Sequence, residues 1–96
     1  MRAVVLLERA KTDLIEIWNY TASTWNVQQA DHYIGIIHAA LGRAASGVDK
    51  ARDSENVRPS LKRIRCGSHF AFLVFREDSI QVVRVLHERM NFDDHL

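Results

Sequence analysis

The apolar positions of this chain follow two different periods, and the change between them outlines the fold. Residues 2–7 form a short run rich in Val and Leu that Glu8 ends, the pattern of a brief β-strand. Between residues 9 and 25 the spacing becomes helical. Ala10, Leu14, Ile17, Trp18, Thr21 and Trp25 share one face, with Thr12, Glu16, Asn19 and Ser23 opposite, which predicts an amphipathic helix. Asn26 then stands where a helix cap belongs, with Gln29 three residues on as in a capping box. The second helix is predicted over residues 27–45, its core face formed by Ala30, Ile34, Ile37, Leu41 and Ala45 and extended by Val48. Gly47 suits its C-terminal stop. Two helices separated by so short a break predict an antiparallel hairpin.

Residues 47–60 are polar, contain the single proline, and read as a loop. Three strand-like runs follow at residues 61–66, 69–75 and 79–86, punctuated at hairpin lengths by Gly67-Ser68 and Glu77-Asp78. The expected architecture is α+β, in the order β-α-α-β-β-β, with an antiparallel sheet and the helical hairpin packed on one face. No other cover for the sheet is available. The 96 residues are expected to form one domain, residues 1–96. A chain of this size buries only about two-thirds of its unfolded surface, so the core is modest. Cys66 is the only cysteine, which excludes an internal disulfide and fits a reducing compartment. The apolar run near the N-terminus is too short for a signal-peptide core, and no stretch approaches the ~20 apolar residues of a membrane span. A cytoplasmic protein without membrane association is therefore expected.

The second helix carries a line of small residues: Gly35, Ala39, Gly42 and Ser46 at i, i+4, i+7 and i+11. Glycine inside a helix costs about 1 kcal/mol against alanine, so two of them need a reason. Either the first helix packs closely along this line, or a helix from another chain does. Ile15 and Ala22 extend the apolar surface of the first helix beyond its core face, and Tyr33, Ile36 and Ala40 that of the second. One sheet face cannot readily cover them all, and spare apolar area on a small domain marks an interaction surface.

The formal net charge is only +1, but it is unevenly placed. Residues 57–76 hold Arg58, Lys62, Arg63, Arg65 and Arg76 with no acid among them. Such a strip suits nucleic acid, an acidic protein surface or a solvated strand face. The histidines are scattered, and His32 and His38 have the wrong helical offset to share an ion, so neither metal nor cofactor is expected. No nucleophile elbow, phosphate-cradling glycine loop or paired carboxylates occur. Strand alternation sets Arg84 opposite Val83, Val85 and His87. If the Val83 and Val85 face meets the helices, Arg84 projects from the uncovered face with Val82 and Leu86, where Arg63 and Arg65 join it. Arginines so grouped hold phosphates or carboxylates bidentately, unless Arg84 simply pairs with Glu77 or Asp78. Nothing adjacent to His87 assigns it a catalytic role.

The run from Ala10-Lys11-Thr12-Asp13 to Trp18-Asn19-Tyr20 resembles the first-helix signature of ParE toxins in the RelE/ParE superfamily. Trp25, Gln29-Ala30 and Tyr33-Ile34 resemble that family's helix junction. Arg58-Pro59, Gly67-Ser68-His69, the segment Arg84 to Asn91 and the closing Asp94-His95-Leu96 continue the likeness across nearly the whole chain. The resemblance implies the toxin of a type II toxin–antitoxin system that poisons DNA gyrase and is not an enzyme. It implies neutralisation in a hetero-oligomer by a ParD-type antitoxin, a ribbon-helix-helix dimer with a C-terminal toxin-binding segment. DNA would then be contacted only indirectly, through the antitoxin. Ile15, Trp18, Ala22, Tyr33, Ile36, Ala39, Gly42, Arg63 and Arg65 are the expected antitoxin-binding residues. Arg84, His87, Arg89 and Met90 are those for the target, and none is expected to be catalytic. The alternative is a RelE-like ribosome-dependent mRNA endoribonuclease, for which Arg84 and His87 occupy comparable ground. The absence of any tyrosine after Tyr33 and the Met90-Asn91 ending favour the ParE branch. Departures are Ser60 where glycine is frequent, Leu73-Val74 where a tyrosine–arginine pair is common, and Asn91 in place of aspartate.

Overall fold

The computed structural model describes residues 2–54 and 59–96, so Arg58 of the basic strip lies outside the described residues. Strand β1 (Ala3–Leu6) leads directly into helix α1 (Glu8–Thr24), and α2 (Val27–Ala45) returns. A two-residue strand β2 (Arg52–Asp53) precedes β3 (Lys62–Cys66), β4 (His69–Phe75) and β5 (Ser79–His87), and a short 3-10 turn (Phe92–Asp94) follows. The Asn26 side chain accepts a hydrogen bond from the Gln29 N–H at 2.7 Å, which fixes the start of α2 as the capping pattern requires. Gly47, at φ +78°, closes it in the left-handed conformation that glycine tolerates.

The α+β arrangement of two helices against one sheet matches expectation. The sheet itself is mixed, with strand order β1-β5-β4-β3-β2. β2 to β5 pair antiparallel, whereas β1 lies parallel to β5 through Ala3↔Ser79 to Leu6↔Val82. A parallel pairing needs a long crossover, which the helical hairpin supplies.

Between helices and sheet lies the main core, built on Ala10, Leu14, Ile37, Leu41, Ile64, Leu73, Ile80, Val82 and Val85. Cys66 belongs to it, and burial pushes its thiol up to about 11, so it is an inert packing residue. Helix α2 is rotated slightly from the expected face. Ala40 and Ala44 are buried with Ile37 and Leu41, while Ile34 is half-buried and Val48 exposed.

The other sheet face is not open. A second cluster of Leu61, Phe72 and Leu86 is covered there by Phe92 and Leu96 from the C-terminal turn. Phe92 meets Phe72 edge-on at 4.9 Å between ring centroids. A β-bulge between Phe72 and Leu73 on β4 and their partners Arg84 and Val82 leaves Val83 as the extra residue on β5. The bulge corrects the expected alternation. Val82 and Val85 face the helices, while Val83 and Leu86 pack in the second cluster. Simple period-two reading had put Val83 with Val85.

Candidate functional site

The pairing of β1 with β5 stops at Val82, because α1 begins at Glu8 and leads the chain away from the sheet. Beyond that point a side chain replaces the missing strand. Asp13 of α1 accepts the Val85 backbone N–H at 2.9 Å, and also Nε and Nη2 of Arg84 at 2.8 and 3.0 Å. Nη1 of Arg84 donates to the His95 carbonyl at 2.8 Å. Asp13 and Arg84 are only 4% and 8% exposed, so this bidentate pair is desolvated and its partners are mutually required.

The correction for Arg84 follows from this geometry. Its register position is opposite Phe72 on the helix-free side, yet its guanidinium reaches α1. It neither projects freely nor pairs with Glu77 or Asp78. The buried partner Asp13 was missed by sequence reasoning, although a carboxylate between Ala10, Leu14 and Ile17 on an apolar stripe was a readable signal.

Around this pair opens a groove of about 560 Å³. One wall is α1, through Arg9, Asp13, Glu16, Ile17, Tyr20 and Thr21, continued by Trp25. The opposite wall is the end of β5 with Val85, Leu86 and His87, and Met90, His95, Gln29 and Tyr33 close it. Tyr20 and Trp25 are 71% and 72% exposed, so their rings stand over the groove without cover from the described residues. Trp25 was expected in the core; it sits at the C-terminal cap of α1, past the last turn that meets the sheet.

The far end of the groove is held by a hydrogen-bonded aromatic cluster. The Tyr33 hydroxyl lies 2.6 Å from Nδ1 of His69 and accepts the Ser68 N–H at 2.9 Å. His69 faces His87 directly across β4 and β5, their rings 5.1 Å apart. Burial, reinforced by His87, pushes His69 down to about 4, so its imidazole is neutral at pH 7. Burial likewise raises the Tyr33 phenol above its ordinary value. The tight turn beneath depends on Gly67, at φ +63°, where an added Cβ would come within 2.8 Å of the Tyr33 ring. The Arg89 N–H bonds to Nδ1 of His87 at 3.2 Å.

Thus the structure gathers Tyr33 with Arg84, His87 and Met90 in one groove and separates the rest. Ile15, Ile36 and Ala39 are exposed elsewhere on the helices, and Ala22 is half-buried. Trp18 is half-buried, its indole N–H bonded to Asp31 at 2.9 Å. Nothing lies within 4 Å of a Cβ added at Gly35 or Gly42, so the small-residue line is not a close contact with α1. Arg89 is exposed. Arg63 and Arg65 line a different cavity on β3, toward the opposite edge of the sheet. Arg65 pairs with Glu88, and this hydrogen bond holds the Glu88 carboxyl below its usual range. Among the described residues no helix is long and apolar enough to cross a membrane, and no cluster of three or more His, Cys, Asp or Glu is placed to hold a metal ion.

Comparison with known proteins agrees with this architecture. The family model described as ParE toxin of type II toxin–antitoxin system, parDE, matches residues 4–92. Toxin ParE1 of Mycobacterium tuberculosis H37Rv is 39% identical over 93 residues, covering 96% of this chain and 95% of its own. Toxin ParE1 of Caulobacter vibrioides is 35% identical over 97 residues, covering 100% and 99%. Toxin ParE of Escherichia coli is 34% identical over 92 residues, covering 95% and 89%. A chain from the solved chromosomal ParDE system of P. aeruginosa shares the fold, with a TM-score of 0.77 over 91% of this chain and 96% of that one at 16% identity. With its full-length likeness to named toxins and its two helices on a five-stranded sheet, this chain belongs to the ParE toxin family of type II toxin–antitoxin systems.

Proposed function

We propose that the groove beside β5 seats the C-terminal segment of a ParD-type antitoxin, and that the free chain is a binding toxin directed at DNA gyrase. The observation that carries the first part is the pair of uncovered rings, Tyr20 and Trp25, at a groove whose opposite wall is the end of β5. Rings of this kind, together with Ile17 and Met90, are typical anchors of a protein interface. Ile15, Trp18, Ala22, Ile36, Ala39 and Gly42 belong to the same reading as a second contact, made by antitoxin residues outside the groove. Arg63 and Arg65 fall outside it, because they lie toward the far edge of the sheet.

The gyrase assignment rests on the family resemblance, and His87, Arg89 and Met90 are the candidate contacts. Arg84 acts here as a positioning residue, since Asp13 and the His95 carbonyl occupy its guanidinium. That occupation also removes the free cation a ribonuclease would use on a scissile phosphate, which favours binding over bond cleavage. The test is expression with and without the antitoxin, followed by plasmid supercoiling and transcript integrity in the same cells. Growth arrest with lost supercoiling and intact transcripts is expected. Cut transcripts with normal supercoiling would replace this reading by the ribonuclease. Unimpaired growth would leave only an antitoxin-stabilising partner.

A further inference from the structure

We propose that the β2–β3 edge of the sheet is a phosphodiester-binding site, in which Lys50, Arg52 and Arg63 hold the backbone of a nucleic acid strand directly. This departs from the expectation that DNA is reached only through the antitoxin, and it stands independently of the gyrase reading.

Arg52 and Arg63 are register partners across β2 and β3. Like charges directly opposite one another destabilise a strand pair unless something neutralises them. The ion pairs among the described residues engage Arg9, Lys11, Arg43, Lys62, Arg65 and Arg84, and leave out both Arg52 and Arg63. The Nε of Arg63 is buried with no hydrogen-bond partner among the described residues. A buried donor on a cation is costly to leave unmet, and an anion is its natural acceptor.

The side chains are also positioned. The guanidinium carbons of Arg63 and Arg65 lie 5.0 and 4.7 Å from the centroid of the Phe70 ring. Phe92 steadies that ring edge-on at 5.8 Å. Phe70 therefore acts as a spacer that groups two cations on one side of the sheet. They border a cavity of about 510 Å³ whose wall also includes Lys50, Arg52 and Asp49. Among the described residues lining it Asp49 is the one acid, and Arg43 binds it at 2.7 Å. Arg65 is itself bonded to Glu88, so three cations, Lys50, Arg52 and Arg63, meet an acid that is already engaged.

A protein ligand seeks apolar anchors, whereas nucleic-acid interfaces are more polar and more positively charged. This cavity has the second character and the β5 groove the first.

The test is fluorescence anisotropy of a labelled single-stranded oligonucleotide, and of the matching duplex, titrated with the purified chain. Three phosphate contacts predict that affinity falls about 20–40-fold between about 50 and about 200 mM salt, duplex at the upper end. Arg52→Ala with Arg63→Ala reduces this to about 3-fold, leaving one contact. Lys11→Ala removes an exposed charge on α1 and leaves the salt response unchanged. Arg52 is exposed on a two-residue edge strand, so Arg52→Ala alone preserves the fold and gives a partial loss that unfolding cannot explain. No binding by the intact chain at low salt, or an unaltered salt response in the double variant, overturns the proposal. A polyglutamate peptide that binds more tightly than either oligonucleotide, with the same loss in the double variant, overturns it in favour of an acidic protein segment.

Discussion

At the β5 edge of the sheet, strand pairing with β1 runs out at Val82 and a carboxylate continues it, with Asp13 taking the Val85 N–H and both nearer nitrogens of Arg84. At the β3 edge, pairing with β2 ends after two residues, and what remains is a cluster of arginines with one engaged acid. Both places carry arginine beside an unfinished edge. In the first the charge is neutralised inside the protein, and the surroundings are apolar and aromatic. In the second, Arg52 and Arg63 have no ion-pair partner among the described residues. Charge alone is therefore a poor guide to where this fold makes contacts. What distinguishes the two edges is whether the arginine finds a counter-charge among the described residues.

Removing the internal counter-charge is the strongest way to break that contrast. Asp13→Ala leaves Arg84 buried and uncompensated, and a loss of about 3–5 kcal/mol is expected in chemical denaturation. Arg52→Ala at the other edge should stay within about 0.5 kcal/mol of wild type. Replacing Asp13 and Arg84 together by leucine and methionine should recover much of the loss.

Next in size, Trp25→Ala should weaken antitoxin binding by about 2 kcal/mol or more, roughly 30-fold, with little effect on stability. Calorimetric titration with the antitoxin's C-terminal segment measures it. Gly42→Leu, which meets open space, should lower affinity less than Trp25→Ala if the groove is the main seat. A reversed order would move that seat to the outer flank of the helices.

A smaller effect should appear with pH. His69 has its folded-state value depressed to about 4, below the ordinary 6.5, so the unfolded chain binds the extra proton first. The stability associated with the neutral ring is present above about 6.5 and declines as pH falls toward about 4. Because the ring keeps some solvent contact, about 1 kcal/mol is the expected scale. Denaturation midpoints at pH 7 and pH 5 should differ, and His69→Gln should narrow the difference. Smallest of all, Ser60→Gly should stabilise the chain by about 0.5–1 kcal/mol in thermal unfolding. Ser60 sits at φ +64°, in the left-handed region that costs a side chain more than glycine.

Much of the architecture was legible because local signals agreed with the packing. Asn26 caps α2, Gly47 closes it, and Gly67-Ser68 makes the turn between β3 and β4. Ser60, noted as a departure from family glycine, has a physical meaning once its positive φ is known. The parallel placement of β1 was not legible, since it depends on where a long crossover ends. Nor was the cover supplied by Phe92, because a three-residue turn has no periodicity to read. The site was read only in part. Tyr33, His87 and Met90 do line the groove, but Trp25 was assigned by helical spacing that ignores where α1 leaves the sheet, and Tyr20 was not singled out as a site residue. Arg84 was singled out on the correct side of the strand but expected to project freely, because its long side chain turns back to Asp13 on α1, a carboxylate the sequence reading had not used.

The extra residue on β5 behaves like a shift of reading frame within a strand. Upstream of Val83 the odd–even rule assigns side chains to one side; downstream the same rule, counted on, assigns them to the wrong one. Two homologous sequences differing by a single deletion here would align almost perfectly yet exchange the surroundings of Val85, Leu86 and His87. Gaps at this position should therefore carry more weight than substitutions when relatives are judged to share the same groove.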